Sequence, residues 1–310
     1  MRIIRAPLRV SLFGGGTDRP AYYREHGGLI VSFAITRYMH LVHNPRPTGG
    51  CRLSYGEVEE LSSLTTAKHT LVRAVAGDIE EPCTLTVISD VPKGTGLGSS
   101  SALAVCLCKL TNATRRSGKN LATTAFEIEH AVAPEVGTQD HLPAAFGGFN
   151  IFTIHKNGIV VQKPLSERAC VMINNYGLLL YTGVSRKAST QLKGWTKSED
   201  RVQLIHQLAQ KMQPLFEEKS LCKARKLGAV LHQTWEIKRR IGTVSNPTLD
   251  EQYEKARDAG AFGGKLCGAG AGGCWFFLVN PCDRQAVVDS LELAEIPFQI
   301  AEKGCEEWVI

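Results

Sequence analysis

A short stretch rich in glycine and serine, VPKGTGLGSSSALAV at residues 91–105, has residue types that suit anion chemistry. Gly94, Gly96 and Gly98 alternate through it, and three serines and an apolar run follow. Glycine permits positive φ angles and close backbone approach, and a helix N-terminus presents unpaired N–H groups that attract anions. The stretch therefore predicts a phosphate-binding loop. The alternative is a glycine turn whose serines only cap a helix.

Two familiar phosphate-binding motifs do not match this loop. A Walker motif requires Lys-Ser or Lys-Thr after its last glycine, and no such pair follows Gly98. The dinucleotide fingerprint requires a third glycine at position 99, where this sequence has a serine. The loop therefore belongs to neither of these two classes of nucleotide-binding motif.

The elements around the loop indicate a mixed architecture. Strands are predicted at 2–12, 29–43, 84–89 and 274–280, where β-branched and apolar residues dominate. Helices are predicted at 101–112, 119–132, 196–240 with an interruption at Pro214, from Asn246-Pro247 to Gly260, and 283–293. Because strands and helices do not alternate strictly, we expect an α+β fold and not a doubly wound sheet. The 310 residues are enough for two domains, with a boundary near 160–175.

Composition limits the classes of partner. The chain is 43% hydrophobic and 21% charged, and its net charge of +6 comes from basic residues that are scattered along the sequence. We therefore expect no nucleic-acid partner, whereas a small anionic substrate is compatible with this charge. The ten cysteines form no CxxC pair, and we expect them to be reduced. No signal-type region or membrane-length apolar run is present, so we expect a cytoplasmic protein with no membrane partner.

Three segments resemble the signatures of the GHMP kinases, the family of galactokinase, homoserine kinase, mevalonate kinase and phosphomevalonate kinase. They are RAPLRVSLFGGGTD at 5–18, PKGTGLGSSSALA at 92–104 and GGKLCGAGAGGC at 263–274. Their order and spacing are similar to those of the family, so the resemblance covers nearly the whole chain. It implies the two-domain α+β GHMP kinase fold. The ATP-binding domain with its glycine loop would occupy 1–165, and the C-terminal domain would occupy 166–310.

One branch of the family is the most similar. The triple glycine before Thr-Asp, the following Tyr-Tyr pair and LLLYTGVSRKAS at 178–189 resemble the D-glycero-D-manno-heptose 7-phosphate 1-kinases. The resemblance implies ATP- and Mg²⁺-dependent phosphorylation of the anomeric hydroxyl of a sugar phosphate. The alternative within the family is another sugar 1-kinase. A sugar-binding sensor without turnover is disfavoured by the joint presence of Ser100, Glu129 and Asp140, and a decarboxylase of the mevalonate branch is disfavoured by the sugar-type GGGTD segment. A homodimer also stays open as the assembly.

The resemblance assigns roles to individual residues on the ATP side. The loop residues that it places on ATP are Lys93, Gly94, Thr95, Gly96, Leu97, Gly98, Ser99, Ser100 and Ser101. Ser100 and Glu129 would hold magnesium, with Glu127 as the competing carboxylate two residues away. Asp140 would be the catalytic aspartate, either as a base or as a group that orients the hydroxyl. Arg9 would be the second catalytic residue. It occupies a position where several family members carry lysine, and an arginine there suggests electrostatic stabilisation and not tuning of the base, with a surface salt bridge as the alternative. The third glycine segment would pack against the nucleotide loop.

The resemblance also implies an acceptor site. Its predicted residues are Gly15, Gly16, Thr17, Asp18, Asp140, Arg186 and Lys187. Asp18 would bind ring hydroxyls as an acceptor, and Arg186, with Lys187 second, would pair with the phosphate of the substrate. The alternatives are a turn role for Asp18 and a solvated basic pair for Arg186 and Lys187. Arg19 is the next candidate for the phosphate.

Overall fold

The computed structural model describes residues 1–80, 82–114, 120–184, 199–216, 223–241 and 244–310. Within them the strands are β1 (Arg2–Phe13), β2 (Gly28–Pro45), β3 (Cys51–Ser54), β4 (Val58–Leu61), β5 (Cys83–Ser89), β6 (Phe149–Ile154), β7 (Val160–Pro164), β8 (Gly177–Tyr181), β9 (Ala261–Leu266), β10 (Cys274–Val279), β11 (Ala294–Glu295) and β12 (Glu306–Val309). The helices are α1 (Pro20–His26), α2 (Thr70–Val75), α3 (Ser99–Leu110), α4 (Leu121–Val132), α5 (His141–Phe146), α6 (Glu167–Tyr176), α7 (Glu199–Met212), α8 (Lys223–Lys238), α9 (Pro247–Asp258) and α10 (Arg284–Leu291).

The larger sheet contains eight of the described strands. Its main order is β12-β1-β2-β5-β3-β4, and β6 and β7 branch from β2. The long strand β2 pairs with β6 through its first half and with β5 through its second half. The β3–β5 pair is parallel, whereas the other pairs are antiparallel. The strand β5, which leads into the glycine loop, therefore lies at the centre of this sheet.

The smaller sheet has the order β11-β8-β10-β9 among the described strands. Behind it, Trp235, Tyr253, Trp275 and Phe277 form a fully buried aromatic cluster. The last strand does not stay with this sheet, because β12 returns to pair with β1 at the start of the chain. The predicted division at 165/166 falls between β7 and α6, and it stays a prediction.

The helix after the glycine loop is held in the interior. α3 packs on β1 and β2 on one side and on α4 and α5 on the other. Every residue from Ser101 to Cys108 is buried, because alanine, leucine, valine and cysteine cover all faces of this helix. A helix fixed on all sides holds its N-terminus at one place on the larger sheet.

The predicted strands, and the predicted helices outside 196–240, are found within about two residues of their predicted bounds. Of the predicted helical region 196–240, residues 196–198 and 217–222 lie outside the described residues, and the described part contains α7 and α8. Helix α7 ends at Met212, and a 3₁₀ turn at Gln213–Phe216 contains Pro214, which explains the predicted interruption. Asn246 caps α9, since its side-chain oxygen accepts from the Leu249 N–H at 3.0 Å. None of the nine described cysteines forms a disulfide. Among the described helices, none is long and apolar enough to cross a membrane.

Candidate active site

A cavity of about 360 Å³ lies where several parts of the fold meet. Its walls come mainly from β1 with the glycines that follow it, from the glycine loop and the start of α3, from the end of α4 with the segment that follows it, and from β9 with the third glycine segment. Residues of α7 and α8 complete the lining. Residues from both sheets therefore line one space, and twelve of the predicted site residues are among them. They are Arg9, Gly15, Gly16, Asp18, Gly94, Gly96, Gly98, Ser99, Ser100, Ser101, Glu129 and Asp140.

The glycine loop has the backbone that its sequence requires. Gly94, Gly96 and Gly98 have φ angles of 78°, 75° and 80°, which side-chain-bearing residues rarely adopt. Gly98 is the N-cap residue of α3, and no side chain caps this helix. The first N–H groups of α3 therefore face the cavity without an intrahelical partner, as anion binding at a helix N-terminus requires.

The third glycine segment packs directly against this loop, as predicted. A Cβ atom on Gly273 would lie 2.4 Å from the Thr95 carbonyl oxygen, and one on Gly268 would lie 2.9 Å from the Gly96 backbone. The Cys274 N–H also donates to the Thr95 carbonyl at 2.9 Å. Only glycine permits this approach, so the smaller sheet fixes the position of the loop.

Arg9 joins the loop to Asp140. Its Nε donates to Asp140 Oδ1 at 2.7 Å, its Nη2 donates to Asp140 Oδ2, and its Nη1 donates to the Gly96 carbonyl at 2.5 Å. Arg9 is 2% exposed, whereas the Asp140 side chain keeps 21% of its surface open to the cavity. Burial opposes the charge of the guanidinium, but Asp140 outweighs it and raises the pKa of Arg9. The pair presents one fixed carboxylate to the cavity.

Asp18 is a second carboxylate, held by backbone amides. Its side chain accepts from the N–H groups of Gly16 and Gln139, each at 3.1 Å. Gly137 leaves room for it, since a Cβ there would lie 1.9 Å from an Asp18 oxygen. Burial is the main cause of the raised pKa of Asp18, and the charge of Asp140 adds to it. Asp18 lines the cavity at 3% exposure, at the wall formed by the first glycine segment.

Glu129 lies beside the serines at the start of α3. Ser100 donates to Oε1 at 2.5 Å and Ser101 donates to Oε2 at 2.6 Å. His141 Nε2 lies 2.7 Å from the same Oε2. Burial disfavours the charged carboxylate, but His141 and the two serines together lower the pKa of Glu129 below its usual value. Glu127, the competing candidate, is exposed on another face of α4.

The residues present fit a magnesium ion. Mg²⁺ prefers oxygen ligands and usually binds through one or two carboxylates. Glu129 and Ser100 offer a carboxylate and a hydroxyl at one wall of the cavity, next to the anion-binding N-terminus of α3. The lowered pKa keeps Glu129 ionised at neutral pH, as a metal ligand requires.

Some of the predicted site residues do not line the cavity. Thr17 is fully buried, and its hydroxyl donates to the Gly14 carbonyl at 2.7 Å, which stabilises the first glycine turn. Thr95 and Leu97 are also fully buried below the loop, and the Lys93 ammonium lies 5.5 Å from the centre of the Tyr55 ring. Arg186 and Lys187 fall outside the described residues.

Sequence reasoning missed two buried lysines in the cavity wall. Lys265 donates to the Ser11 and Leu12 carbonyls at 2.7 and 3.2 Å, and Lys238 donates to the Leu266 carbonyl at 2.7 Å. Lys265 stands inside the third glycine segment, so a search of that segment for charged residues would have found it. Lys238 is the last residue of α8, and the sequence around it does not distinguish a buried lysine from one on the solvated face of a helix.

The glycine loop, the Ser100–Glu129 pair and the carboxylate of Asp140 held by Arg9 share one cavity, an arrangement that suits phosphoryl transfer. The N-terminal domain model of the GHMP kinases matches residues 64–148, and the C-terminal model of the same family matches residues 212–294. The chain belongs to the GHMP kinase family. The predicted fold and the prediction of an ATP-dependent kinase of this family are thereby confirmed.

Individual relatives match over most or all of the chain. A D-glycero-alpha-D-manno-heptose 7-phosphate kinase from Campylobacter jejuni subsp. jejuni serotype O:2 is 30% identical and covers 100% of both chains. A mevalonate kinase from Pyrococcus abyssi is 28% identical over 86% of this chain and 76% of its own. The crystal structure of a D-glycero-D-manno-heptose 1-phosphate kinase from Bacteroides thetaiotaomicron superimposes with a TM-score of 0.79 at 24% identity, covering 100% of this chain and 99% of the other.

Proposed function

We propose that this kinase transfers the γ-phosphoryl group of ATP to the anomeric C1 hydroxyl of a sugar phosphate. The proposed acceptor is D-glycero-D-manno-heptose 7-phosphate, and the product is its 1,7-bisphosphate. One observation carries the proposal: the Arg9-held carboxylate of Asp140 faces the same cavity as the glycine loop. An acceptor hydroxyl at Asp140 therefore lies beside the place where phosphates bind.

The choice of acceptor has two supports. The Campylobacter relative, named for heptose 7-phosphate, matches this chain from end to end. Asp18 offers acceptor-only oxygens at the wall formed by the first glycine segment, which suits hydrogen bonds from sugar hydroxyls. A homoserine or mevalonate acceptor has fewer hydroxyl groups for such a carboxylate.

On the donor side, we place the ATP phosphates at Gly94–Ser101 and a magnesium ion at Ser100 and Glu129. When bound, the ion neutralises charge on the β- and γ-phosphates. The N–H groups at the start of α3 bind phosphate oxygens, and the glycines let the phosphates approach the backbone. His141 and Ser101 hold the Glu129 carboxylate in its orientation.

On the acceptor side, Asp140 receives the C1 hydroxyl. As the oxygen attacks phosphorus, the bond from the γ-phosphorus to its bridging oxygen breaks and ADP leaves with the electron pair. The hydroxyl proton passes to Asp140, a step that contributes about 10²–10⁴-fold in typical general-base catalysis. An anomeric hydroxyl is more acidic than an ordinary alcohol, so the base that it requires is weak. Arg9 keeps the carboxylate in place throughout.

The phosphate already present on the substrate needs a cation. A phosphate monoester carries about −2 charge at neutral pH, and arginine pairs with two of its oxygens at once. We place it at Arg186, with Lys187 second, in the stretch YTGVSRKAS that follows the strand β8. Arg19 is the next candidate, because it lines the cavity one residue after Asp18.

The test is an ADP-release screen with ATP, magnesium and a panel of acceptors. Turnover with heptose 7-phosphate and little with galactose, homoserine or mevalonate is the expected result, with ³¹P NMR showing a new phosphate on C1. Preferred turnover of any acceptor without a phosphate would contradict the proposal. The Asp140→Asn variant is the background control in every assay.

A further inference from the structure

A second buried cation faces the reaction cavity from the opposite sheet. Lys265 is on β9, is 5% exposed and lines the same space as Arg9 and Asp140. Its ammonium donates to the Ser11 carbonyl at 2.7 Å and to the Leu12 carbonyl at 3.2 Å, both on β1. These two bonds fix the ammonium at the junction of the two sheets.

The ammonium of Lys265 has one N–H donor beyond the two that bind backbone carbonyls. A lysine ammonium has three N–H donors, and the two carbonyls account for two of them. No carboxylate lies within 4.0 Å of it in the part of the chain that the structure describes. A buried cation without a carboxylate in direct contact is poorly compensated, so an anion that enters the cavity can accept the third N–H and is attracted by the positive charge.

Arg9 is less available for such an anion. Each of its three guanidinium nitrogens already has a partner, two on Asp140 and one on the Gly96 carbonyl. Its charge is balanced by Asp140, whose carboxylate it holds. Arg9 therefore serves to orient Asp140, whereas Lys265 is a buried cation in the cavity wall with no carboxylate at ion-pair distance among the described residues.

We propose that Lys265 is a catalytic residue whose third N–H donates to a non-bridging oxygen of the phosphoryl group while it passes from ATP to the acceptor. This inference rests on the proposed function. Lys265 neither gains nor loses a proton in the step: the γ-phosphorus bond to ADP breaks, the bond to the acceptor oxygen forms, and the hydroxyl proton goes to Asp140. The ammonium stabilises charge on the transferred group.

The first experiment distinguishes a hydrogen bond from Lys265 to the transferred phosphoryl group from a role in which Lys265 only joins the two sheets. In Lys265→Met, we expect kcat to fall by about 100- to 1,000-fold, as for other single transition-state donors, with KM for ATP and acceptor nearly unchanged. The decisive readout is binding of ADP with aluminium fluoride, which mimics the transferred group. We expect Lys265→Met to bind ADP alone like the wild type and to lose at least 100-fold in affinity for the ADP–aluminium fluoride complex. Equal affinity for that complex overturns the proposal.

A second variant covers the case in which Lys265→Met does not fold. The groups that face Lys265 are Arg9 from β1, Asp140 from the segment before α5 and Cys267 just after β9. Burial lowers the pKa of Lys265 to about 8. We therefore expect kcat/KM of the wild type to decline above that pH, as the ammonium loses its proton. Lys265→Arg stays charged, and this alkaline decline must move upward or vanish. An unchanged decline overturns the proposal.

The acceptor screen distinguishes a wrong role for Lys265 from a wrong assignment of the acceptor. If the wild type prefers another acceptor, the acceptor assignment is wrong, and the same variants are measured with the acceptor that turns over. Lys255→Met, at an exposed lysine of α9 paired with Glu251, is the matched control and keeps wild-type kcat. A wild-type affinity of Lys265→Met for ADP–aluminium fluoride would exclude the lysine contact whichever acceptor is used.

Discussion

Arg9 holds Asp140 with two guanidinium nitrogens while a third binds the Gly96 carbonyl of the glycine loop. One buried side chain thus sets the distance between the phosphate-binding backbone and the carboxylate that faces the acceptor. A lysine cannot reproduce this arrangement, because it lacks the planar fork that reaches both partners. The geometry explains why an arginine suits this position even though it is a poor proton donor.

Asp140→Asn tests the carboxylate itself. Asparagine keeps the shape but cannot accept the hydroxyl proton, so we expect kcat to fall by at least about 100-fold. ATP affinity, measured by calorimetry, should stay within a few-fold of the wild type, because the glycine loop is intact. The control is Asp289→Asn at an exposed aspartate of α10, which should behave like the wild type. Near-normal kcat in Asp140→Asn would remove Asp140 from the chemistry.

The magnesium site is tested by a pair of neighbouring glutamates. Glu129→Gln removes the charge that Ser100 and Ser101 contact, so the magnesium concentration for half-maximal rate should rise and kcat should fall. Ser100→Ala should raise the magnesium requirement too, since it removes one oxygen donor. Glu127→Gln is the matched control, two residues away and exposed. If Glu127→Gln raised the requirement and Glu129→Gln did not, the site would lie on the other face of α4.

The burial of Lys265 predicts a pH dependence of stability. Its pKa is about 8 in the native state and 10.5 in the unfolded reference, so between these values the unfolded chain binds more protons. The unfolding free energy of the wild type relative to Lys265→Met should therefore increase as pH rises from 7.5 to 10.5. The gain is about 3 kcal/mol at 1.36 kcal/mol per pH unit. Urea unfolding at several pH values measures it, and a flat difference would show that Lys265 titrates like an exposed lysine.

Arg186→Ala tests the anchor for the substrate phosphate. Loss of this charge pair should raise KM for the phosphorylated sugar, by an amount equivalent to about 2–5 kcal/mol if the pair is buried, with KM for ATP nearly unchanged. The preference for the phosphorylated sugar over the free sugar should shrink accordingly. The same measurements on Arg19→Ala give the comparison, since Arg19 lines the cavity. A change in Arg19→Ala alone would place the phosphate beside the first glycine segment.

The sequence by itself determined the local features of this protein. The glycine pattern at 94, 96 and 98 requires left-handed backbone, Pro214 interrupts a helix, and Asn246 caps one. Each depends on the conformational limits of a few adjacent residues, which a sequence displays directly. The three separate glycine segments, recognised together, also identified the family and the candidates Asp140, Glu129 and Arg9.

Tertiary structure decided the contacts between distant residues. The sequence left Glu127 as an alternative to Glu129, and the packing of α4 on α3 shows that Glu129 is the one that contacts Ser100. Thr17 is next to Asp18, yet its hydroxyl is turned inward to Gly14, because the glycine turn must satisfy its buried carbonyl. Lys265 reaches β1 from the other sheet across 254 positions of sequence. Such contacts arise from how the two sheets close on each other, which no local pattern records.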